Sequence, residues 1–177
     1  KIIEDYYFSK SNEFKFINLR YFNPVGAHES GLIGEDPKIN SQNIFPKISQ
    51  VIKKEIAFLP IYGNNWPTED GTCVRDYIHV MDLADAHLSA LLFLIKNENI
   101  RLNLNIGTGR GVSVLKLINT FNKVNNCNIP YKFESKRKGD LPYLVANNSL
   151  ALKLLKWFPK KTLEDICKDI WIWQSNN

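Results

Sequence analysis

The first group placed to do chemistry is a tyrosine–lysine pair. Tyr6 and Lys10 stand four residues apart, so on a helix they share one face. An ammonium beside a phenol lowers its pKa, and the phenolate can then act as a base. The spacing is common in any helix containing both residues, and Arg20 follows too soon to leave room for a long helix before a strand. The pair therefore reads as a helix end. The second group is Gly107-Thr108-Gly109-Arg110-Gly111, lying between a strand pattern and a helix pattern. It looks like a turn that cradles a cofactor phosphate. However, the third glycine comes one position early for G-x-G-x-x-G, and Ile129 and Pro130 stand where a ribose-binding acid belongs. It reads as a tight turn. The histidines (His28, His79, His87) and cysteines (Cys73, Cys127, Cys167) have no zinc spacing. His79 and His87 bracket Asp82 and Asp85, and the cysteines are few, odd in number and far apart. This pattern predicts neither a metal site nor a disulfide framework, and it suits a reducing, cytoplasmic setting.

Three strings carry more. Arg20-Tyr21-Phe22-Asn23-Pro24-Val25-Gly26-Ala27 stands at the end of a strand pattern, and strand ends in open α/β sheets bind ligands. Thr68-Glu69-Asp70-Gly71-Thr72-Cys73-Val74-Arg75-Asp76-Tyr77-Ile78-His79-Val80 runs on into Met81-Asp82-Leu83-Ala84-Asp85-Ala86-His87. Lys138-Gly139-Asp140-Leu141-Pro142 is the third. Together, in this order and spacing, they resemble the UDP-glucose (UDP-galactose) 4-epimerase family of the extended short-chain dehydrogenase/reductase superfamily. The resemblance covers nearly the whole chain. Asn-Pro-Val-Gly-Ala and Thr-Glu-Asp-Gly point most narrowly to the 4-epimerases.

The resemblance implies a fold, a reaction and a site. The fold is α/β, the carboxyl-terminal part of a Rossmann-type NAD-binding fold with its smaller mixed α/β substrate-binding domain. Residues 1–27 and about 76–110 would belong to the first, and about 28–75 and 111–177 to the second. The reaction interconverts UDP-glucose and UDP-galactose through transient NAD-dependent oxidation to a 4-keto sugar. Arg75 and Arg137 match the arginines that hold the pyrophosphate, a role suited to a planar guanidinium. Arg75 also adjoins Asp76 and could simply be paired with it. Asn23 matches a contact to the diphosphate-sugar region, and Asn43 and Ile44 a helix start that touches substrate. Pro60, Ile61 and Tyr62 match the strand edge that recognises uracil. Asp140 matches the acceptor of the ribose hydroxyls, its alternative being a turn residue. Phe22 and Pro24 match the nicotinamide wall. Leu144 stands where some members carry a gating Tyr, which predicts room for N-acetylated sugars; a one-residue shift would put Tyr143 there instead. The family's glycine-rich loop, catalytic Ser/Thr and Tyr-x-x-x-Lys are expected upstream of Lys1, so the 177 residues alone are expected to be inactive. A related NAD-dependent dehydratase or decarboxylase, or a non-catalytic UDP-sugar-binding remnant, are the alternatives. Family members usually pair as homodimers.

The elements that must position these residues follow from periodicity. A helix end over 1–10 precedes a buried strand over 14–22. A long loop, 28–42, leads to a helix over 44–56 and a strand over 57–62. Residues 74–80 are extended, and Asp82 with Asp85 forms a capping box for a helix through Ile95. A strand over 102–106 precedes a helix capped by Ser113 that turns Leu117, Ile118 and Phe121 inward. A strand over 131–133 and a helix over 148–156 come next. Thr162 and Asp165 cap a last helix that buries Leu163, Ile166, Ile170 and Trp173. The net charge is +5, but the basic residues are scattered and lack the interleaved aromatics of a nucleic-acid platform. No apolar run is long enough to cross a membrane.

Overall fold

The computed structural model describes residues 2–9, 14–36 and 43–176. In chain order the elements are α1 (Ile2–Ser9), β1 (Phe16–Tyr21), β2 (Asn23–Val25), α2 (Ile44–Ile52), β3 (Leu59–Tyr62), β4 (Val74–Arg75), β5 (Tyr77–His79), α3 (Val80–Lys96), β6 (Arg101–Ile106), β7 (Val112–Ser113), α4 (Val114–Asn125), β8 (Tyr131–Glu134), β9 (Tyr143–Leu144), α5 (Ser149–Leu155) and α6 (Leu163–Asn176). Tyr6 lies on α1, while Lys10 falls outside the described residues. The strands pair in short parallel sets: β1 with β6, β2 with β5 and β3 with β8. A fourth set places β4 between antiparallel β7 and parallel β9.

Two apolar cores result, and β5 stands between them. Successive strand residues point to opposite faces. Tyr77 accordingly enters a first cluster with Phe45, Ile48, Leu59, Ile61 and the α4 and α6 side chains. Its neighbour Ile78 enters a second cluster with Ala86, Ala90, Leu104, Ile106 and the α5 residues Ala151 and Leu155. In the first, Leu117, Ile118 and Phe121 are fully buried, as their helical spacing predicts.

Several sequence expectations are corrected. β1 is half-buried rather than buried. Ile17 and Leu19 pack on the second cluster, but the other face carries Asn18, whose amide donates to Asn103 at 2.8 Å. α2 ends at Ile52, because Lys54 turns into the left-handed region at φ +59°. The extended stretch 74–80 breaks at Asp76, and Val80 already belongs to α3. The cap of α3 is His79, whose ring accepts from the Met81 N–H at 3.0 Å. Asp82 instead sits buried in the first turn and accepts the backbone N–H groups of Lys160 and Lys161 at 3.0 and 2.9 Å. Asp85 faces solvent beside Lys160. Thr162 and Asp165 do form their reciprocal box, but Trp173 is only half-buried and Cys167 takes the core position. The reason is local: the Trp173 ring covers Gly34, and its indole N–H reaches the Glu35 carbonyl.

His79 joins the two halves of the molecule. It is fully buried, and its Nε2 meets the Asp169 carboxylate of α6 at 3.1 Å. Asp169 also faces Lys161 at 3.6 Å. Burial holds the His79 pKa below the usual histidine value, outweighing the hydrogen bond and charge of Asp169. The unfolded chain therefore binds a proton that the folded chain refuses. Stability from this residue is full above the unfolded pKa of about 6.5 and is lost as pH falls through it towards the lower folded value. The expected result is a urea midpoint that is flat from pH 8 to 7 and declines below about 6.5. In His79→Gln that decline should disappear, leaving losses only at the more acidic pH where carboxylates such as Asp165 titrate. Asp165 is held low by its bonds from Thr162.

Candidate functional site

Phe22 and β2, the start of α2, β3, β4 and the loop between β8 and β9 enclose a cavity of about 260 Å³. Its floor is set by strand alternation on β3. Leu59 and Ile61 point into the core, so Ile61 is 2% exposed and offers the cavity its backbone. Pro60 and Tyr62 lie on the opposite, half-buried face and line the cavity with their side chains. Phe22, Asn23 and Pro24 form one wall, and Asn43 with Ile44 forms another where α2 begins. Early N–H groups of a helix point outward along its axis, and the helix dipole favours an anion there.

The charged groups converge on the remaining side. Arg75 is held by carbonyls: its Nη1 donates to Leu141 O at 2.7 Å and to Val74 O at 3.0 Å. Its Nη2 lies 3.5 Å from one Asp140 oxygen. Arg137 donates from Nε to the other Asp140 oxygen at 3.0 Å, and its guanidinium stacks 4.3 Å from the Tyr62 ring centroid. Asp140 is therefore bracketed by both arginines, and each guanidinium keeps further donors for a ligand. Its placement answers the turn alternative only in part: the Asp140 N–H also closes a turn onto Arg137 O.

The other alternative, that Arg75 is merely the partner of Asp76, fails on geometry. The Asp76 carboxylate is buried and fully engaged elsewhere. It accepts from Thr108 N and Oγ1, Gly109 N and Ala146 N, at 2.7 to 3.1 Å. These bonds also explain the glycine turn. Its N–H groups do bind an anion, but the anion is the chain's own side chain. A Cβ on Gly107 would sit 2.6 Å from Asp76 Oδ2, so no other residue fits there.

Leu144 is the one proposed contact outside the cavity lining. It lies exposed on β9, paired in register with Arg75, and Tyr143 pairs with Val74. Sequence reasoning missed Tyr77, Lys47 and Glu35, which also line the cavity. Tyr77 lay inside the Arg75-Asp76-Tyr77 string and could have been found; the other two carry no local signal. It also missed an outer stack, in which Lys136 Nζ sits 4.3 Å from the Trp66 ring and the Trp66 indole donates to Tyr62 O. Adjacent cations, Lys136 and Arg137, thus rest on two aromatic rings, and the Trp66 ring is held by the Tyr62 backbone carbonyl. No cluster of metal-ligating side chains occurs among the described residues.

Residues 2–170 match the family model described as GDP-mannose 4,6 dehydratase. The chain belongs to the extended short-chain dehydrogenase/reductase family. It is 49% identical over 166 residues to a UDP-glucose 4-epimerase of Cyamopsis tetragonoloba, covering 93% of this chain and 47% of that protein. It is 47% identical over 178 residues to the UDP-glucose 4-epimerase of Erwinia amylovora, covering 100% of this chain and 52% of that one. The crystal structure of the UDP-glucose-4-epimerase from Stenotrophomonas maltophila, with bound NAD and formylated UDP-arabinopyranose, superposes with a TM-score of 0.93 at 41% identity. That match covers 99% of this chain and 52% of the other. The chain thus spans about half the length of the epimerases it matches. The α/β architecture is of the Rossmann type, as the family resemblance implies. No helix among the described residues is long and apolar enough to cross a membrane.

Proposed function

We propose that the cavity is a UDP-sugar site and that the whole protein interconverts UDP-glucose and UDP-galactose with NAD. The observation that carries this reading is the convergence of Arg75 and Arg137 on one carboxylate beside the Tyr62 ring. Two guanidinium groups at a helix start suit a diphosphate. The flat ring and the β3 backbone beside them suit a pyrimidine, which stacks on an aromatic face and hydrogen-bonds a strand edge. As the diphosphate arrives, both arginines turn their donors from Asp140 to the ligand oxygens. Asp140 is then free to accept from ribose hydroxyls. Asn23, Asn43 and Ile44 face the diphosphate-sugar region in this reading.

The residues present fit one wall of an NAD site. Phe22 and Pro24 offer an apolar edge to a flat nicotinamide, whereas the turn at Gly107–Gly109 has spent its Thr108 and Gly109 N–H groups on Asp76. NAD, when bound, supplies hydride acceptance from the sugar's C4 and its return. What this chain does is bind, orient and shield the nucleotide sugar. The relatives' names and the strand-end position of the cavity support the epimerase reading over dehydration, decarboxylation or simple binding. The same proposal divides the chain into Rossmann segments, 1–27 and about 76–110, and substrate-domain segments, about 28–75 and 111–177; Ile78, Ala86 and Leu104 in one core and Phe45, Leu59 and Phe121 in the other support it, while Tyr77 and the residues Ala151, Leu155 and Trp157 pack across the division. Cytoplasmic residence, a place in galactose metabolism and homodimerisation of the whole protein belong to it too; the three free thiols support the first, and the family resemblance the others.

The test is turnover of UDP-galactose to UDP-glucose by the whole protein with NAD, and its absence in the 177-residue chain alone. No turnover by the whole protein would refute the reaction. We extend the proposal to N-acetylated sugars on the family resemblance, because Leu144, in register with Arg75, is smaller than the Tyr that some members carry there. Leu144→Tyr is expected to lower kcat/KM for UDP-N-acetylgalactosamine about tenfold, the size of a modest steric penalty in a pocket, while UDP-galactose changes less than about twofold. Equal losses on both substrates would remove Leu144 from this role.

A further inference from the structure

Asp76 makes every one of its side-chain bonds to residues outside the cavity lining, yet it ties together the residues that line it. Its side chain is fully buried and accepts four hydrogen bonds. Two come from Thr108 and one from Gly109, in the turn that follows β6. The fourth comes from Ala146, just beyond β9. Its own backbone carbonyl accepts the Asn23 N–H at 3.0 Å. Asp76 is also the single residue between β4 and β5, which belong to different sheets. The strand on one side ends with Arg75, paired with β9. The strand on the other begins with Tyr77, paired with Asn23. The loop that carries Arg137 and Asp140 leads directly into β9. One residue, through its carboxylate and its backbone carbonyl, therefore links the Arg75 strand, the Asn23 strand and the Arg137–Asp140 loop. The β3 edge, with Pro60 and Tyr62, pairs with β8 and makes no bond to Asp76.

We propose that Asp76 is a positioning residue for the diphosphate half of the cavity, acting through Arg75 and Asn23, and that the β3 edge on the base side is independent of it. This rests on the UDP-sugar reading of the cavity. Asp76→Asn keeps the size of the side chain but turns an NH2 group towards either the Thr108 N–H or the Gly109 and Ala146 N–H groups, so one or two of the four bonds become donor against donor. The anchor loosens, and the arginine and asparagine lose their common register. The step is one of geometry, since no bond to the ligand is removed.

The test compares UDP with uridine, measured by titration calorimetry and saturation-transfer NMR on the whole protein. Asp76→Asn is expected to weaken UDP about tenfold or more, a loss the size of one charge-assisted bond, with uridine weakened less than about threefold because only its ribose meets the Asp140 loop. Thr108→Val removes one donor at nearly constant shape, and about a threefold loss for UDP alone is expected. The Thr108 variant decides the matter if Asp76→Asn does not fold. Equal loss of both ligands would overturn the proposal, because a residue that only holds the fold affects both halves alike. Unchanged UDP binding in both variants would overturn it as well. If the unaltered protein binds UDP no tighter than uridine, the diphosphate reading itself fails, and this inference with it.

Discussion

Arg75→Ala is expected to weaken UDP and UDP-glucose binding by about a hundredfold, the penalty typical of truncating one partner in a largely desolvated charge cluster. Two effects add. The ligand loses the guanidinium that can meet its diphosphate with two parallel bonds. Asp140 also loses one of its two cations, so an under-compensated carboxylate is left beside an incoming dianion. The side chain of Arg75 is 15% exposed and is braced by the Leu141 and Val74 carbonyls, so little of its interaction is lost to solvent. Arg137 is 44% exposed, and Arg137→Ala should cost several-fold less, because solvent screens the charge. Lysine at position 75 should rescue poorly, since a point charge cannot replace a planar fork held between two carbonyls. Titration calorimetry of the variants against UDP checks all three. A loss below about threefold in Arg75→Ala would mean that Arg75 does not meet the diphosphate.

The largest effect on stability is expected from Phe121→Ala. Phe121 is fully buried on α4, with its ring centroid 6.3 Å from Phe45 and 6.1 Å from Trp171. It joins α2, α4 and α6 in the first core. Truncating a buried phenylalanine removes its transfer free energy and leaves a cavity, and the cost is about 3 to 5 kcal/mol. Urea unfolding should show a lower midpoint with an unchanged slope, since the surface exposed on unfolding is nearly the same. Phe45 also lines the cavity and follows Asn43 and Ile44. Phe121 itself does not line the cavity, so UDP binding by the folded variant should change less than in Arg75→Ala. A shift below about 1 kcal/mol would show that the core repacks around the gap.

The cavity residues were legible in the sequence because they sit in dense strings at strand ends, where neighbours in sequence are also neighbours at the site. Phe22, Asn23 and Pro24 come from one string, and Arg75 and Tyr77 from another. Leu144 was harder to place. Its contacts depend on which strand β9 pairs with, and a two-residue strand carries no period from which to read pairing. The cap of α3 was misread for a related reason. Asp82 and Asp85 have the spacing of a capping box, but local spacing cannot reveal that the backbone of Lys160 and Lys161, far along the chain, takes the Asp82 carboxylate. His79, a less common cap, then fills the vacant role. The Thr162–Asp165 box was read correctly because both partners lie within one turn. The half-exposed β1 was read as buried from its composition; Asn18 was the contrary sign, since its amide needs a partner and finds one in Asn103 on the uncovered face.

The glycine turn shows the same limit from the other side. Gly107-Thr108-Gly109 looked like a phosphate cradle and was read as a tight turn because its spacing was wrong. It does bind an anion, but the anion is Asp76, which lies 31 residues earlier than Gly107 in the sequence.

The central claim is that the cavity between Asn23, Tyr62, Arg75 and Arg137 takes a uridine diphosphate. The most direct measurement is a titration of the protein with UDP, followed through its backbone amide resonances. The account predicts saturable shifts at Asn23, Ile61, Tyr62, Arg75 and Asp140, with the groove lined by Val51, Ile52, Ile129 and Trp171 unmoved. Shifts centred on that groove, or none around Arg75 at saturating UDP, would contradict it.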